Sequence, residues 1–430
     1  MLYHFSGIIG IIVILLIAYA MSNNRKAINW RTIISGLLIQ FSLAVFVLKT
    51  HLGQKIFQEI GYFISKLLDF SNEGANFAFG VLVNQPDKFD ELFGSHFIFA
   101  TTLMSTIIFV AVLVNIAYHI GLMQRIVSVV AKVVYKLMGV SGSEALSNAA
   151  SAFVGQIEAQ LMIKPYISTM TNSELLASMA GSMACIAGGI MAVYIAMGVP
   201  AEYLLAASIM AAPGALVISK MVYPETEESE TKNEVKLEVK QTYTNLIDAI
   251  AHGASDGMRI SINVIAMIIG FLALVAMINA VLGLGGRTVY AMTGLNLGVI
   301  GLDLNHLSLK DILGSIFGVF AWLMGVPMHE SHQVGALMGT KLVFNEFLAY
   351  TDLAPMIKAG TLSAKSIMIA SFALCGFANL GSIAMQIGGI GEIAPTRRKD
   401  LAMLGVKALI CGTLASYLSA TIAGILGSFN

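Results

Sequence analysis

Apolar runs dominate the chain and define its elements. Residues 5–20, 32–48, 97–119, 175–197, 203–221, 260–282, 366–387 and 401–426 are almost free of charge. A helix needs about 20 residues to cross the hydrocarbon core of a bilayer, so the pattern predicts about eight transmembrane helices. Two more apolar stretches, 141–172 and 309–349, carry polar residues and a carboxylate well inside them. They read as re-entrant hairpins, tolerated at membrane depth where broken backbone lines a cavity. From 52 to 70 the pattern changes to amphipathic: Ile56, Ile60, Phe63, Ile64 and Leu67 share one face, Gln58, Glu59, Lys66 and Asp69 the other. That is a helix lying at a surface, against lipid or against neighbouring helices. Arg125, Lys132 and Lys136 form one basic face of a second amphipathic helix, suited to lipid headgroups.

Charge gives the chain its direction. Arg25, Lys26 and Arg31 crowd the loop after the first run, and Arg397, Arg398 and Lys399 precede the last. Basic loops stay cytoplasmic, so both termini are expected outside a plasma (inner) membrane crossed many times. The segment 224–241 holds six glutamates and three lysines and reads as a solvated cytoplasmic linker, with Lys232, Lys236 and Lys240 at helical spacing. The loop with Pro86, Asp87, Lys88 and Asp90 and the Gly- and Asn-rich segment 283–306 are expected outside. Hydrophobic residues make up 57% of the chain and the mean hydropathy is +0.80, which excludes a soluble globular domain. The net charge is zero, which argues against a nucleic-acid partner. Cys185, Cys375 and Cys411 lie in apolar segments without CxxC spacing and are expected to be free thiols. The first 22 residues lack a basic start and an A-x-A site, so the first run reads as a retained span.

The two broken stretches resemble each other. Cys185 follows Glu158 by 27 positions and Cys375 follows Glu346 by 29, and each cysteine opens a glycine-interrupted span: Cys185-Ile186-Ala187-Gly188-Gly189-Ile190, and Cys375-Gly376-Phe377-Ala378-Asn379-Leu380-Gly381-Ser382. The first unit starts inside and the second outside, so an axis in the membrane plane would relate them, the pattern of a secondary transporter with its site at the midplane. The expected layout is 1–140 as N-terminal scaffold helices with the interfacial helix, 141–222 as the first repeat unit, 223–308 as linker, scaffold span and external segment, and 309–430 as the second unit. The fold class is therefore an all-α polytopic membrane protein with two re-entrant hairpins in an inverted repeat.

If the hairpin tips converge, Glu158 and Glu346 supply acceptors, Gln156 and Asn379 amides, Ser382 a hydroxyl and Phe377 a stacking face. The set suits a neutral polyhydroxylated solute with an aromatic, amide-bearing ring. A solute that left a buried amide unpaired would be penalised by roughly 1 to 3 kcal/mol. Lys164 and Lys341 are expected towards the hairpin bases, Glu144 and Glu174 at the interface, and Asp256 with Arg259 as an i, i+3 ion pair. His329-Glu330-Ser331-His332 lacks the H-E-x-x-H spacing of a zinc site and reads as a polar hairpin feature. Gly388-Gly389-Ile390-Gly391 reads as a span end, and Gly314/Gly318 and Gly294/Gly298 as close helix packing. No histidine falls in either carboxylate motif, which counts against a membrane-embedded enzyme; a proton-conducting channel built on the two glutamates is the other alternative.

Gly155-Gln156-Ile157-Glu158-Ala159, Lys341-x-x-x-Asn345-Glu346-Phe347-Leu348-Ala349-Tyr350 and Gly376-Phe377-Ala378-Asn379-Leu380-Gly381-Ser382-Ile383 resemble the signature motifs of the concentrative nucleoside transporter family, in order and over nearly the whole chain. The resemblance implies a cation-coupled importer of nucleosides such as uridine or adenosine. It implies a homotrimer in which a transport domain moves like an elevator against a scaffold, and no cofactor. It further implies that Gln156 binds the base, that Glu158 and Glu346 with Asn379 and Ser382 hold the ribose hydroxyls, and that Phe377 and Ile190 flank the nucleoside. Ile157 stands where the family commonly has a hydroxyl residue, which bears on base preference. The positions matching the family's sodium site are Ser151, Val154, Cys185 and Ile186, where Ser151 replaces an asparagine and Cys185 a serine or threonine. A thiol is a poor ligand for a hard cation, so sodium and proton coupling both stay open, with a lean to sodium because backbone carbonyls survive any side-chain change.

Overall fold

The computed structural model describes residues 2–80, 99–232, 243–294 and 303–427. The described residues are helical apart from short connections. The chain begins with α1 (Leu2–Ala20), α2 (Trp30–Lys49), α3 (His51–Asp69) and α4 (Ser71–Phe79), then α5 (Phe99–His119) and α6 (Leu122–Met138). The first hairpin is α7 (Gly142–Ser151), an irregular tip and a second arm opened by α8 (Glu158–Leu161). It leads to α9 (Asn172–Ala184), α10 (Gly188–Ala196) and α11 (Ala201–Val222). After α12 (Leu246–Thr293) come α13 (Leu309–Leu323), the second hairpin α14 (Met328–Val343) and α15 (Glu346–Ala359), then α16 (Ala364–Leu374), α17 (Leu380–Ile393) and α18 (Arg398–Leu426). Where described, six of the eight apolar runs lie in unbroken helices, and the other two, 175–197 and 366–387, are helical on either side of a break. Among the described residues five helices, counting Asn172–Ala196 as one, are long and apolar enough to cross a membrane by themselves.

Burial sorts the spans into an interior and a rim. In α11 and in the span ending at Leu426, 89% of the most apolar window is buried, against 6% in α12. The inner helices pack closely because small residues sit where they cross: a Cβ on Gly412 of α18 would meet the Met183 Cβ of α9 at 2.8 Å. The buried positions of α12 include Ala249, Gly253, Gly257, Ser261 and Val264, a stripe of mostly small residues one turn apart facing α5. Such stripes let helix backbones touch where no hydrophobic effect drives helices together in lipid. On α3 the face carrying Ile56, Ile60 and Phe63 is exposed while Gly53, Phe57, Gly61 and Leu68 are buried. The apolar side of this helix therefore turns away from the protein, as lipid contact requires.

The hairpins enter from opposite ends of the bundle. At the start of α18 the Arg397 guanidinium donates to the carbonyls of Met170 and Ile167 and to Asn172 Oδ1, clamping the exit of the first hairpin. At the far end of α18, Gly424 lies against the Met324 carbonyl beside the second hairpin, whose base is tied by Glu330 accepting from the Ser363 amide and hydroxyl at 3.1 and 2.8 Å. Glu330 thus has a structural role, and His332 meets the Asp311 carbonyl at 3.2 Å.

Several expectations are corrected. Glu144 and Glu174 are buried, each completing a capping box, with Ser141 and Thr171, at the base of the first hairpin. Glu144 pairs with Lys220 at 2.7 Å, and Glu174 accepts from Ser229 and Thr231. The S-x-x-E and T-x-x-E spacings carry the reason: a carboxylate in the first turn satisfies amides that no helix partner can. The region 283–306 is not all loop, because α12 runs to Thr293; Gly286 sits at a close crossing, where a Cβ would meet the Leu304 carbonyl at 2.3 Å. The stretch 309–349 is two units, since α13 and α14 are bent by 117° before the hairpin proper. Gly388 to Gly391 falls inside the last turns of α17. Gly314 and Gly318 do mark close packing, against His332 and Ser331. Lys232 is not helical, and the expectations on Lys236, Lys240, the loop at 86–90 and Gly298 lie outside the described residues.

Candidate functional site

Two broken helices meet at the centre. α9 ends at Ala184 and its continuation α10 begins at Gly188; α16 ends at Leu374 and α17 begins at Leu380. The Phe377 amide donates to the Cys185 carbonyl at 3.1 Å, joining the two breaks. Gly376 has φ +145, and a Cβ there would meet the Ala184 carbonyl at 2.7 Å, so both its conformation and the crossing require glycine. The Ser416 hydroxyl of α18 reaches the Cys375 carbonyl at 3.0 Å and the Ala184 carbonyl at 3.5 Å, bracing both.

Three of the sequence-derived site residues cluster at the start of α17. Asn379 caps that helix: its Oδ1 accepts from the Ser382 amide at 2.9 Å and the Ser382 hydroxyl at 3.2 Å. The amide NH2 is thereby turned to Glu346 Oε2, at 3.4 Å. The other carboxylate oxygen accepts from the Tyr194 hydroxyl at 3.1 Å. Tyr194 is fully buried on α10 and stacks on Tyr350 with centroids 4.1 Å apart. Sequence reading missed it, since one aromatic in an apolar span looks like core; its place one turn after Ile190 is the only hint.

The first hairpin reaches the same helix further along. Gln386 donates to Gln156 Oε1 at 3.4 Å and to the Met179 carbonyl at 3.2 Å, and Ile157 packs on the bare backbone of Gly389. Phe377 is half-buried beside the break. Glu158 and Ile190, by contrast, line a cavity of about 890 Å³, a volume suited to a small molecule. Its walls are the hairpin tip, the first turn of α10, Asn115 and Tyr118 of α5, and Asp256, Arg259 and Asn263 of α12. The Tyr118 hydroxyl has no hydrogen-bond partner among the described residues. Glu158 is exposed in this space, while Glu346 is buried and outside it, so the two carboxylates do not share one wall.

Three further expectations change here. Asp256 accepts from Asn115 at 3.4 Å, and no ion pair joins it to Arg259 among the described residues. Lys164 lines the cavity. Lys341 lies near the hairpin tip, fully buried, with Nζ on the Ala373 carbonyl at 2.8 Å. Of the positions matched to a coupling ion, Ser151, Val154, Cys185 and Ile186 are all buried. They meet where the Gly188 amide donates to the Phe153 carbonyl at 3.1 Å. Ser151 donates to Ser147 in its own helix, leaving its oxygen lone pairs free, whereas the Cys185 thiol points to the Ser208 carbonyl at 3.9 Å. Oxygen ligands would thus come from Ser151 and from carbonyls at the helix ends, which suits a hard cation.

Family models described as the Na+ dependent nucleoside transporter N-terminus, nucleoside recognition, and the Na+ dependent nucleoside transporter C-terminus match residues 9–82, 100–201 and 203–424. The chain is 42% identical to an uncharacterized transporter of Bacillus subtilis, over 97% of this chain and 98% of that protein. It is 38% identical to the nucleoside permease NupC of Helicobacter pylori, over 99% and 98%. It is 36% identical to the mouse sodium/nucleoside cotransporter 1, over 97% of this chain and 63% of that longer protein. Among solved structures, CNTnw in an inward-facing substrate-bound state superposes with a TM-score of 0.90 at 42% identity, covering 100% of this chain and 99% of that one. A doubly substituted form of CNTnw in an outward-facing state gives 0.90 at 41%, again over 100% and 99%.

Proposed function

Because the chain belongs to the Na+ dependent, concentrative nucleoside transporter family, we propose that it carries nucleosides such as uridine or adenosine into the cell by symport with sodium. It is a membrane transporter and not an enzyme. The observation that carries the reading is the division of labour between its two carboxylates. Glu346 is held ready by two fixed donors, and Glu158 stands open to a cavity that can admit a nucleoside. Carboxylates accepting ribose hydroxyls form charge-assisted bonds, which reject solutes lacking those hydroxyls. Gln156 is the group for the base, with Ile157 beside it; Phe377 and Ile190 flank the ring, and Asn379 and Ser382 complete the ribose end.

Transport then requires the hairpins and broken helices to shift against α5 and α12, across the cavity that separates them from the first hairpin. In this reading 141–222 and 309–430 make up the moving part, and 1–140 with 223–308 the scaffold, assembled as a homotrimer in the inner membrane. The long apolar faces of α3 and α12 left uncovered in one copy support contact with lipid or with other copies. Sodium is assigned to Ser151, Val154, Cys185 and Ile186, where helix-end carbonyls can replace water around it.

The test is uptake of labelled uridine and adenosine into proteoliposomes with sodium and pH varied independently. Saturable uptake that needs inward sodium is expected. Uptake that ignores sodium and collapses when a proton gradient is dissipated would replace sodium by a proton, and current without solute would indicate a channel. Glu158→Gln and Glu346→Gln are expected to insert normally and to lose uptake. Wild-type transport by both would refute the roles given to them.

A further inference from the structure

Gln386 is a buried amide to which the transport reading gives no task. It is fully buried on α17, one turn after Ser382, and its neighbours determine which way round its amide lies. Its Nε2 lies 3.2 Å from the Met179 carbonyl of α9 and 3.2 Å from the Ser182 hydroxyl oxygen. A carbonyl can only accept, so the NH2 group must face it. Ser182 accepts as well, because its own proton goes to the Ser178 carbonyl at 2.8 Å. The opposite orientation would set Gln386 Oε1 against two acceptors. In the observed one that oxygen has no partner among the described residues, a costly arrangement for a glutamine that only filled space.

The orientation passes to Gln156. The Gln386 NH2 donates to Gln156 Oε1 at 3.4 Å, so the oxygen of the hairpin amide is turned towards α17. The Gln156 NH2 is left with the Met385 sulfur at 3.6 Å, a weak acceptor that a ligand carbonyl can displace. Gln160, also fully buried, donates to the same Ser182 oxygen at 3.1 Å and holds it in place. Ile157, beside Gln156, adds no hydroxyl. What this part of the tip offers a base is therefore a donor. Ser382, at the ribose end, and Gln386 are one helical turn apart on α17, a rise of about 6 Å. A pyrimidine nucleoside carries its exocyclic 4-group across the ring from the nitrogen that bears the ribose. Uracil has a carbonyl there, and cytosine, of the same shape, an amino group.

We propose that Gln386 is a positioning residue for base selection: it engages Gln156 Oε1 and leaves the Gln156 NH2 to meet a carbonyl at the far edge of the base, so that uridine is taken in preference to cytidine. This rests on the reading of the chain as a nucleoside carrier with Gln156 at the base. Cytidine sets its amino group against that NH2. Turning Gln156 round to accept from it would set NH2 against NH2 at Gln386, so the second glutamine locks the choice made by the first.

The experiment compares two ligands on each protein. Purified wild-type protein in sodium is titrated with uridine and with cytidine by calorimetry. Uridine is expected to bind about fivefold more tightly or better, the effect of one buried donor left unpaired by cytidine. In Gln386→Met, which keeps the bulk and removes the amide, the ratio should fall to near one. Gln156→Ala should give the same fall, and the double variant no further change, because both substitutions remove one device. A merely structural glutamine would weaken both ligands alike, so a folded Gln386→Met protein with the wild-type ratio would overturn the proposal. Equal binding, or a preference for cytidine, in the wild type would do the same. Should Gln386→Met not fold, Gln386→Asn keeps an amide and draws it back from Gln156; the same fall is expected, and an unchanged ratio counts against the proposal. Wild-type protein that binds neither nucleoside would remove the underlying reading instead.

Discussion

Tyr194 and Asn379 act on the same carboxylate in different ways. Asn379 is polarised by Ser382, whose amide and hydroxyl both occupy its oxygen, so only its NH2 can face Glu346. Asn379→Asp would put a second carboxylate where that NH2 lies 3.4 Å away. Two like charges so close in a buried site oppose each other strongly. Uridine binding is expected to vanish while the helix stays capped, because Asp caps as well as Asn. Titration calorimetry on purified protein checks this. Tyr194→Phe keeps the stack on Tyr350 and removes only the hydroxyl. A hydrogen bond to a charged group is worth about 1.5–3 kcal/mol, so uridine affinity should fall by roughly tenfold or more. Unchanged affinity would mean that the hydroxyl does not position Glu346. The polar partners in this cluster were legible in the chain as motifs, since carboxylates and amides inside apolar runs stand out. Tyr194 was not, because only the fold shows which face of α10 it lies on.

At the scale of elements, glycine spacing matters more than hydrophobicity. A Cβ on Gly257 would lie 2.5 Å from the Ile108 Cα, a backbone atom that cannot step aside. Gly257→Leu should therefore part α12 from α5, lower the thermal stability of the purified protein by several degrees and reduce the yield of inserted protein. Gly270→Ala, on the same helix with nothing within 4 Å, should be nearly neutral or slightly stabilising. Fluorescence-detected thermal unfolding of the two variants side by side checks both. The Gly253/Gly257 pair shows what the chain alone hides. GxxxG spacings recur along it, and Gly314/Gly318 packs closely as expected, but the spacing does not say which pairs face a partner. The capping boxes at Ser141 and Thr171 were readable as S-x-x-E and T-x-x-E. Apolar flanks made their glutamates look interfacial, and only the arrival of Lys220 from α11 at Glu144, and of Ser229 and Thr231 at Glu174, shows how they are satisfied when buried.

For the molecule as a whole, the opposed hairpins were legible in the order of runs and basic loops. The cavity was not, because it is bounded by α5 and α12 on one side and the first hairpin on the other. Segments so far apart in the chain carry no shared signal. If that cavity is a passage opened and closed by movement, its walls must change accessibility during transport. The native thiols Cys185, Cys375 and Cys411 are all buried, so a membrane-impermeant maleimide should leave the wild-type protein unlabelled. A single added thiol, Asn115→Cys on the α5 wall, should be labelled from the side to which the cavity opens. Uridine with sodium should alter that labelling rate, whereas either alone should alter it less, because the loaded carrier can cross and the half-loaded one cannot. A rigid pore predicts equal labelling under all conditions, from either side.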